Sequence, residues 1–147
     1  MIEPGRDDEL VRVAGSDFDA EFALVLRESD GLLVLGVAGH LMRSVPEDFA
    51  AQVERVLLAR PASRVVLDLR ACEYIVSSAL GYIVRFLHQA GRSGSAVVAL
   101  RPGQRITALL ELLGLDQLVE LVDDEAVARA WFAAGGHRAR RHPTPRP

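Results

Sequence analysis

Two β-branched runs, "RVVLDL" at 64–69 and "SAVVALR" at 95–101, enclose a segment in which Leu80, Ile83, Val84 and Leu87 recur at i, i+3, i+4 and i+7. That recurrence marks one face of a helix, over roughly 77–90. A strand, a helix and a strand within so short a span leave one arrangement. The two strands pair in parallel, and the helix crosses over them in the right-handed sense. Whatever else the chain does has to extend that sheet.

Upstream, "FALVLRE" and "LLVLGVAG" are strand-like runs joined by Ser29-Asp30-Gly31, and Asp-Gly between apolar runs is a hairpin signal. The second run is apolar almost throughout, so it belongs inside a sheet covered on both faces. "SVPEDFAAQVERVLLARP" then predicts a helix, with Ser44 as N-cap, Pro46 in the first turn and Glu47 and Asp48 at the positive end of the dipole. Its stripe is Phe49, Val53, Val56 and Leu57, and Pro61 stops it. Downstream, Pro102-Gly103 opens a helix bearing Ile106, Leu109, Leu110 and Leu113, closed by Gly114. After the short apolar run "QLVELV", Asp123 or Asp124 caps a last helix with Val127, Ala130 and Trp131 on one side. The expected fold is one α/β domain with a four- to five-stranded mixed sheet, antiparallel at the start and parallel afterwards. About four helices pack against it. The expected divisions are an acidic polar leader over 1–21, with a short strand at Leu10–Val13, a folded domain over 22–133, and a basic, proline-containing, disordered tail over 134–147.

Composition excludes more than it identifies. Of the 147 residues, 50% are hydrophobic and 25% charged, which predicts a soluble globular chain and not a disordered one. A net charge of −3 implies no general attraction to nucleic acid or anionic membrane. The tail holds Arg138, Arg140, Arg141 and Arg146 without an acid, but with no aromatic platform beside them nucleic acid is not an expected partner. Neither a signal peptide nor a membrane-length apolar segment is read, so the expected location is the cytoplasm, with no membrane insertion. The lone Cys72 excludes an internal disulfide and reads as a small buried hydrophobe.

Enzyme motifs fail on inspection. A serine nucleophile on a strand-to-helix elbow needs small residues two positions either side, and Ser77 has Ile75 and Ala79 there. His40, His88, His137 and His142 are scattered singly, so no metal site is expected. Lysine is absent, and with it any phosphate loop of the Lys-containing kind. Asp68 ends a strand and reads as a structural tether of the following loop. The chain is expected to be no enzyme and to carry no cofactor. What remains is the pair Ser77 and Ser78, where the strand pattern gives way to the helical one. One reading makes Ser77 the helix N-cap; the other makes it a chemical handle on the surface.

"VVLDLRACEYIVSSALGYIVRFL" resembles the central signature of the STAS domain, the fold shared by sulfate-transporter tails and bacterial anti-sigma factor antagonists. There a strand ending in Asp-Leu precedes a loop and a D-S-S/T-G-L-G helix start, and Asp68, Leu69, Ser77, Ser78, Leu80 and Gly81 fit it. "LGVAGHLMRSVPEDF" is similar to the family's G-x-L-D segment through Gly39 and Leu41, and the stretch from Val98 to Phe132 is similar to its usual ending. The resemblance spans about 22–133 and implies a single STAS-like domain that acts as a regulatory interaction module. Its partner would be a kinase-type anti-sigma factor or a related protein, with Ser77 or Ser78 as phosphoacceptor. The implied docking surface comprises Gly39, His40, Leu41, Met42, Val76, Ser77, Ser78, Ala79, Leu80 and Gly81. A monomer or weak dimer is expected. The alternative is the STAS accessory subunit of a lipid-transport ABC complex, or a scaffold that does not switch. Three positions depart from the pattern: Met42 and Val76 replace aspartates, and Ala79 replaces a glycine. Met42 and Val76 either pack inward, form an apolar docking patch, or mark a degenerate copy.

Overall fold

The computed structural model describes residues 7–17 and 20–135. Most of the basic tail, from residue 136 onward and including His137 and His142, lies outside the described residues. In chain order the elements are β1 (Asp7–Asp17), β2 (Ala20–Ser29), β3 (Leu32–Leu41), α1 (Glu47–Ala59), β4 (Arg64–Asp68), β5 (Cys72–Ile75), α2 (Ser77–Arg92), β6 (Ala96–Leu100), α3 (Gln104–Leu112), β7 (Glu120–Val122) and α4 (Glu125–Ala133). A 3-10 turn at Leu115–Gln117 follows α3.

The parallel unit that the sequence demanded is present: β4 pairs β6 in parallel, from Arg64 opposite Ala96 to Asp68 opposite Leu100. The antiparallel start is present too. Asp30 (φ 48°) and Gly31 (φ 85°) are both left-handed, the geometry of a tight two-residue hairpin, and they set Ser29 opposite Leu32.

The sheet is larger than the expected four or five strands. It has seven, in the order β1-β2-β3-β4-β6-β7, with β5 paired to β3 outside that path. Two of the strands account for the difference. The segment read as a leader contributes the eleven-residue β1, whose polar alternation suits an edge strand with one wet face. The other is β5, only four residues long, which resumes the pairing on β3 where β4 leaves off.

β3 explains why its sequence is apolar on both faces. Leu33, Leu35 and Val37 join a core with α1, α2 and α3, whereas Leu32 and Val34 join a second core beneath α4. Each fully buried side chain of this size stabilises the fold by about 1.5–3 kcal/mol, before entropy is counted.

Three local expectations need correction. Ser44 does not cap α1; Pro46 holds the N-cap position, in extended geometry. A residue before proline avoids the helical region, so Val45 stays extended and the helix cannot begin at Ser44. Ser77 is likewise not an N-cap but the first helical residue of α2, with Val76 as N-cap. In α4 the buried residues are Ala128 and Phe132, while Val127 is exposed. That helix is apolar nearly all round, and Ala128 and Phe132 are the residues it buries in the second core.

Asp124 does cap α4, its carboxylate accepting the Val127 N–H at 2.9 Å. Asp124→Ala is expected to cost about 1 kcal/mol in urea unfolding, with Asp123→Ala, outside the cap position, costing less.

Candidate functional site

The candidate face forms where β3 and β5 end side by side and α2 begins. Gly39 starts it. Its φ of +81° and a bulge in the β3–β5 ladder after it turn the end of β3, and its N–H donates to the Ala71 carbonyl at 2.8 Å. The Val76 N–H donates to the Leu41 carbonyl at 3.0 Å, which holds Val76 extended (ψ 161°) and sets Met42 beside it at the strand ends. Helix α2 starts with the next residue, because the N-cap must be non-helical and this hydrogen bond makes it so.

The expected docking residues therefore divide. Ser77, Ser78 and Gly81 are exposed, and Gly39, His40, Met42 and Val76 are half-buried. Leu41, Ala79 and Leu80 are buried and hold the face from within. Val76 packs against the main core with part of its surface still open. Ser77 and Ser78 make no side-chain cap to α2, whose first turn also contains no acidic residue. The positive end of a sixteen-residue helix thus opens onto solvent beside two hydroxyls.

Flanking groups are mutually satisfied. The His40 ring stacks on Tyr74 with centroids 6.4 Å apart, and its Nδ1 lies 3.5 Å from Glu73 Oε1. Arg85 pairs with Glu47 at 3.0 Å, tying α2 to the start of α1. His88 is an exposed residue of α2. Burial pushes the Cys72 thiol up to about 11, so it is a thiol and not a thiolate at neutral pH.

Asp68 tethers its loop. One carboxylate oxygen accepts both the Arg70 N–H at 3.1 Å and the Arg70 Nε–H at 3.0 Å, and the other accepts from Arg70 Nη2 at 3.0 Å. Burial raises this carboxyl's pKa, but the Arg70 hydrogen bonds and the Arg70 and Arg27 charges outweigh burial and leave it below the ordinary value. A carboxyl with a depressed native pKa binds fewer protons folded than unfolded. Its contribution is full above about pH 4 and fades as pH falls through the native value. Asp68→Asn is expected to flatten that part of the acid limb, read by denaturant unfolding from neutral pH downward. An unchanged acid limb would refute the tether.

Sequence reasoning missed the cleft beside the β3–α1 loop. Phe22, Leu24, Leu41, Met42, Arg43, Ser44, Val45 and Pro46 line a small cleft of about 30 Å³ next to Met42. Its only sequence signal was Pro46, which forces an extended approach to α1. At that volume the cleft is far below the usual size of a small-molecule pocket. Among the described residues no cluster of His, Cys, Asp and Glu could hold a metal ion, and no helix is long and apolar enough to cross a membrane.

A mixed sheet with three helices on one face and one on the other, and a hydroxyl pair where the central crossover helix begins, defines the class. Residues 24–122 match the family model described as "Mlab, STAS domain", and the chain belongs to the STAS domain family. Among solved structures it is similar to an anti-sigma factor antagonist from Mycobacterium paratuberculosis. That likeness has 25% identity and a TM-score of 0.59, over 79% of this chain and 97% of that one. It is similar also to a putative anti-sigma factor antagonist from Thermotoga maritima, at 24% identity and TM-score 0.59, over 71% of this chain and 90% of that one. No curated protein sequence matches the chain.

Proposed function

We propose that this chain is a non-enzymatic, cytoplasmic regulator of the anti-sigma factor antagonist kind, which docks a kinase-type anti-sigma factor or related protein through the face around Ser77. The observation that carries the reading is the exposure of Ser77 and Ser78 on the uncapped first turn of α2, beside the end of β3. A hydroxyl there is open to a kinase, and no local hydrogen bond to the helix start has to be broken first. Phosphate on Ser77 would add about −1.5 to −2 charge. At contact with one partner carboxylate each unit costs about 1 kcal/mol in water and about 4 at an effective dielectric of 20. Each unit of that charge is therefore worth about one to three decades of affinity.

The experiment is incubation with the serine-kinase anti-sigma factor encoded nearest this chain's gene, with ATP, read by intact mass and by co-elution. Expected are the mass gain of one phosphoryl group, its loss in Ser77→Ala with Ser78→Ala, and release of the partner on phosphorylation. No gain, or a gain that survives both substitutions, would overturn the switch.

A second reading, the accessory subunit of a lipid-transport ATPase complex, draws on the Mlab description of the matching family. Co-purification with a transporter ATPase, insensitive to Ser77→Glu, would favour it.

A further inference from the structure

Gln89, in the last turns of α2, is only 8% exposed, yet its Oε1 has no hydrogen-bond partner. An amide oxygen buried without a donor costs free energy, and folded proteins rarely leave one so. Gln89 lines a niche of about 50 Å³ between the C-terminal halves of α1 and α2. The other walls are Glu54, Leu57 and Leu58 from α1, Arg92 from α2, and Ser93 just beyond it. The Ser93 hydroxyl donates to the Ala90 carbonyl at 2.9 Å and does not serve Gln89. Glu54 and Arg92 stand on opposite helices, and no ion pair joins them among the described residues. Leu57 is buried beneath the niche, whereas Leu58 is 68% exposed at its rim. The niche lies about 18 Å along α2 from Ser77, so an occupant here leaves the face around Ser77 free.

Two acceptors, Gln89 Oε1 and the Glu54 carboxylate, thus share one opening with one donor, the Arg92 guanidinium. An entering carboxylate would meet Glu54 and leave Gln89 Oε1 unpaired. An ammonium would suit both acceptors but stand beside the Arg92 charge. A carboxamide carries both functions and no charge: its NH₂ donates to Gln89 Oε1 and Glu54, and its carbonyl accepts from Arg92. The volume admits a side-chain tip and is far too small for a free metabolite. Leu58 offers a neighbouring aliphatic side chain an apolar contact outside the niche. We propose that this niche is a second protein-docking point, distinct from the face around Ser77. It takes the carboxamide of an asparagine or glutamine from a partner segment, with an adjacent aliphatic side chain resting on Leu58.

The test is a displayed library of random peptides, selected on the full chain and counter-selected on the Gln89→Leu, Leu58→Ser double variant. Enriched peptides are expected to carry asparagine or glutamine beside an aliphatic residue. They should lose at least tenfold in affinity to Gln89→Leu and to Leu58→Ser, and be indifferent to Ser77→Glu at the far end of α2. Thermal melts supply the second readout. Gln89→Leu removes an unpartnered polar group, so it should leave the melting temperature unchanged or raise it while abolishing binding. A marked fall in melting temperature would mean that the carboxamide is partnered within the fold, and the proposal fails. It fails as well if enriched peptides are charged at the anchor position, or if none survives the counter-selection, as a niche holding only water would give. If the chain alone dimerises and Leu58→Ser makes it monomeric, the occupant is a second copy and the proposal is overturned. The reading of the face around Ser77 is untouched by any of these results, since its own test is phosphorylation and partner release.

Discussion

Gly39→Ala is expected to destabilise the fold by about 2–5 kcal/mol, strain and collision together. A methyl group on residue 39 would stand 2.1 Å from the Glu21 carbonyl oxygen and 3.1 Å from Phe22 Cα, and both are backbone atoms of the neighbouring strand. Neither can swing aside as a side-chain tip would. The φ of +81° adds the cost of a left-handed residue with a Cβ. Gly31→Ala is the control. Its φ of +85° is similar, but nothing lies within 4 Å of the added carbon, so only strain of about 1–2 kcal/mol applies. The difference between the two midpoints in urea isolates the collision, and equal losses would refute it. Gly39 also precedes the bulge at the end of β3, beside the proposed docking face. A suppressed but folded variant should therefore dock poorly even where it is stable.

Phe86→Ala is expected to cost about 3–5 kcal/mol. The ring is 0% exposed, within the main core, and stands at the end of an aromatic series. Its centroid lies 6.4 Å from that of Tyr82, which is in turn 6.1 Å from Phe49 of α1. Removing it leaves a void under the middle of α2, where packing can relax only in part. Tyr82→Phe should behave in the opposite way. The Tyr82 hydroxyl is buried with no hydrogen-bond partner, and burial pushes its pKa upward. Deleting an unpaired buried hydroxyl is expected to be neutral or to stabilise by about 1 kcal/mol. Thermal melts of the pair decide the matter: a large loss from Tyr82→Phe would mean that the hydroxyl is partnered after all.

The face also illustrates what a residue pattern conveys. Ser77 and Ser78 stood out because they interrupt an apolar run at a helix start, and Gly81 came only with the family resemblance. Leu41, Ala79 and Leu80 carry the same family resemblance yet are buried, since a motif preserves the frame of a site along with its surface. The cleft under the β3–α1 loop had only Pro46 to signal it. It depends on Phe22 and Leu24, nearly twenty residues upstream of Met42 in the chain, being brought beside the loop by the β2–β3 pairing.

From sequence alone came the elements that periodicity and turn chemistry dictate within a dozen residues. These are the Asp30-Gly31 hairpin, the parallel β4–α2–β6 unit, an aspartate cap at 123 or 124 and a helix beginning near residue 77. Pairing between distant segments decided the rest. It made a polar leader into edge strand β1, let four residues of β5 continue the ladder on β3, and made Val76 instead of Ser77 the N-cap of α2 through the Val76–Leu41 hydrogen bond. Local preference is worth tenths of a kcal/mol per residue, whereas ladder bonds and burial supply more. Where the two disagree, as at Ser44 and Ser77, the partner across the sheet or the following proline prevails.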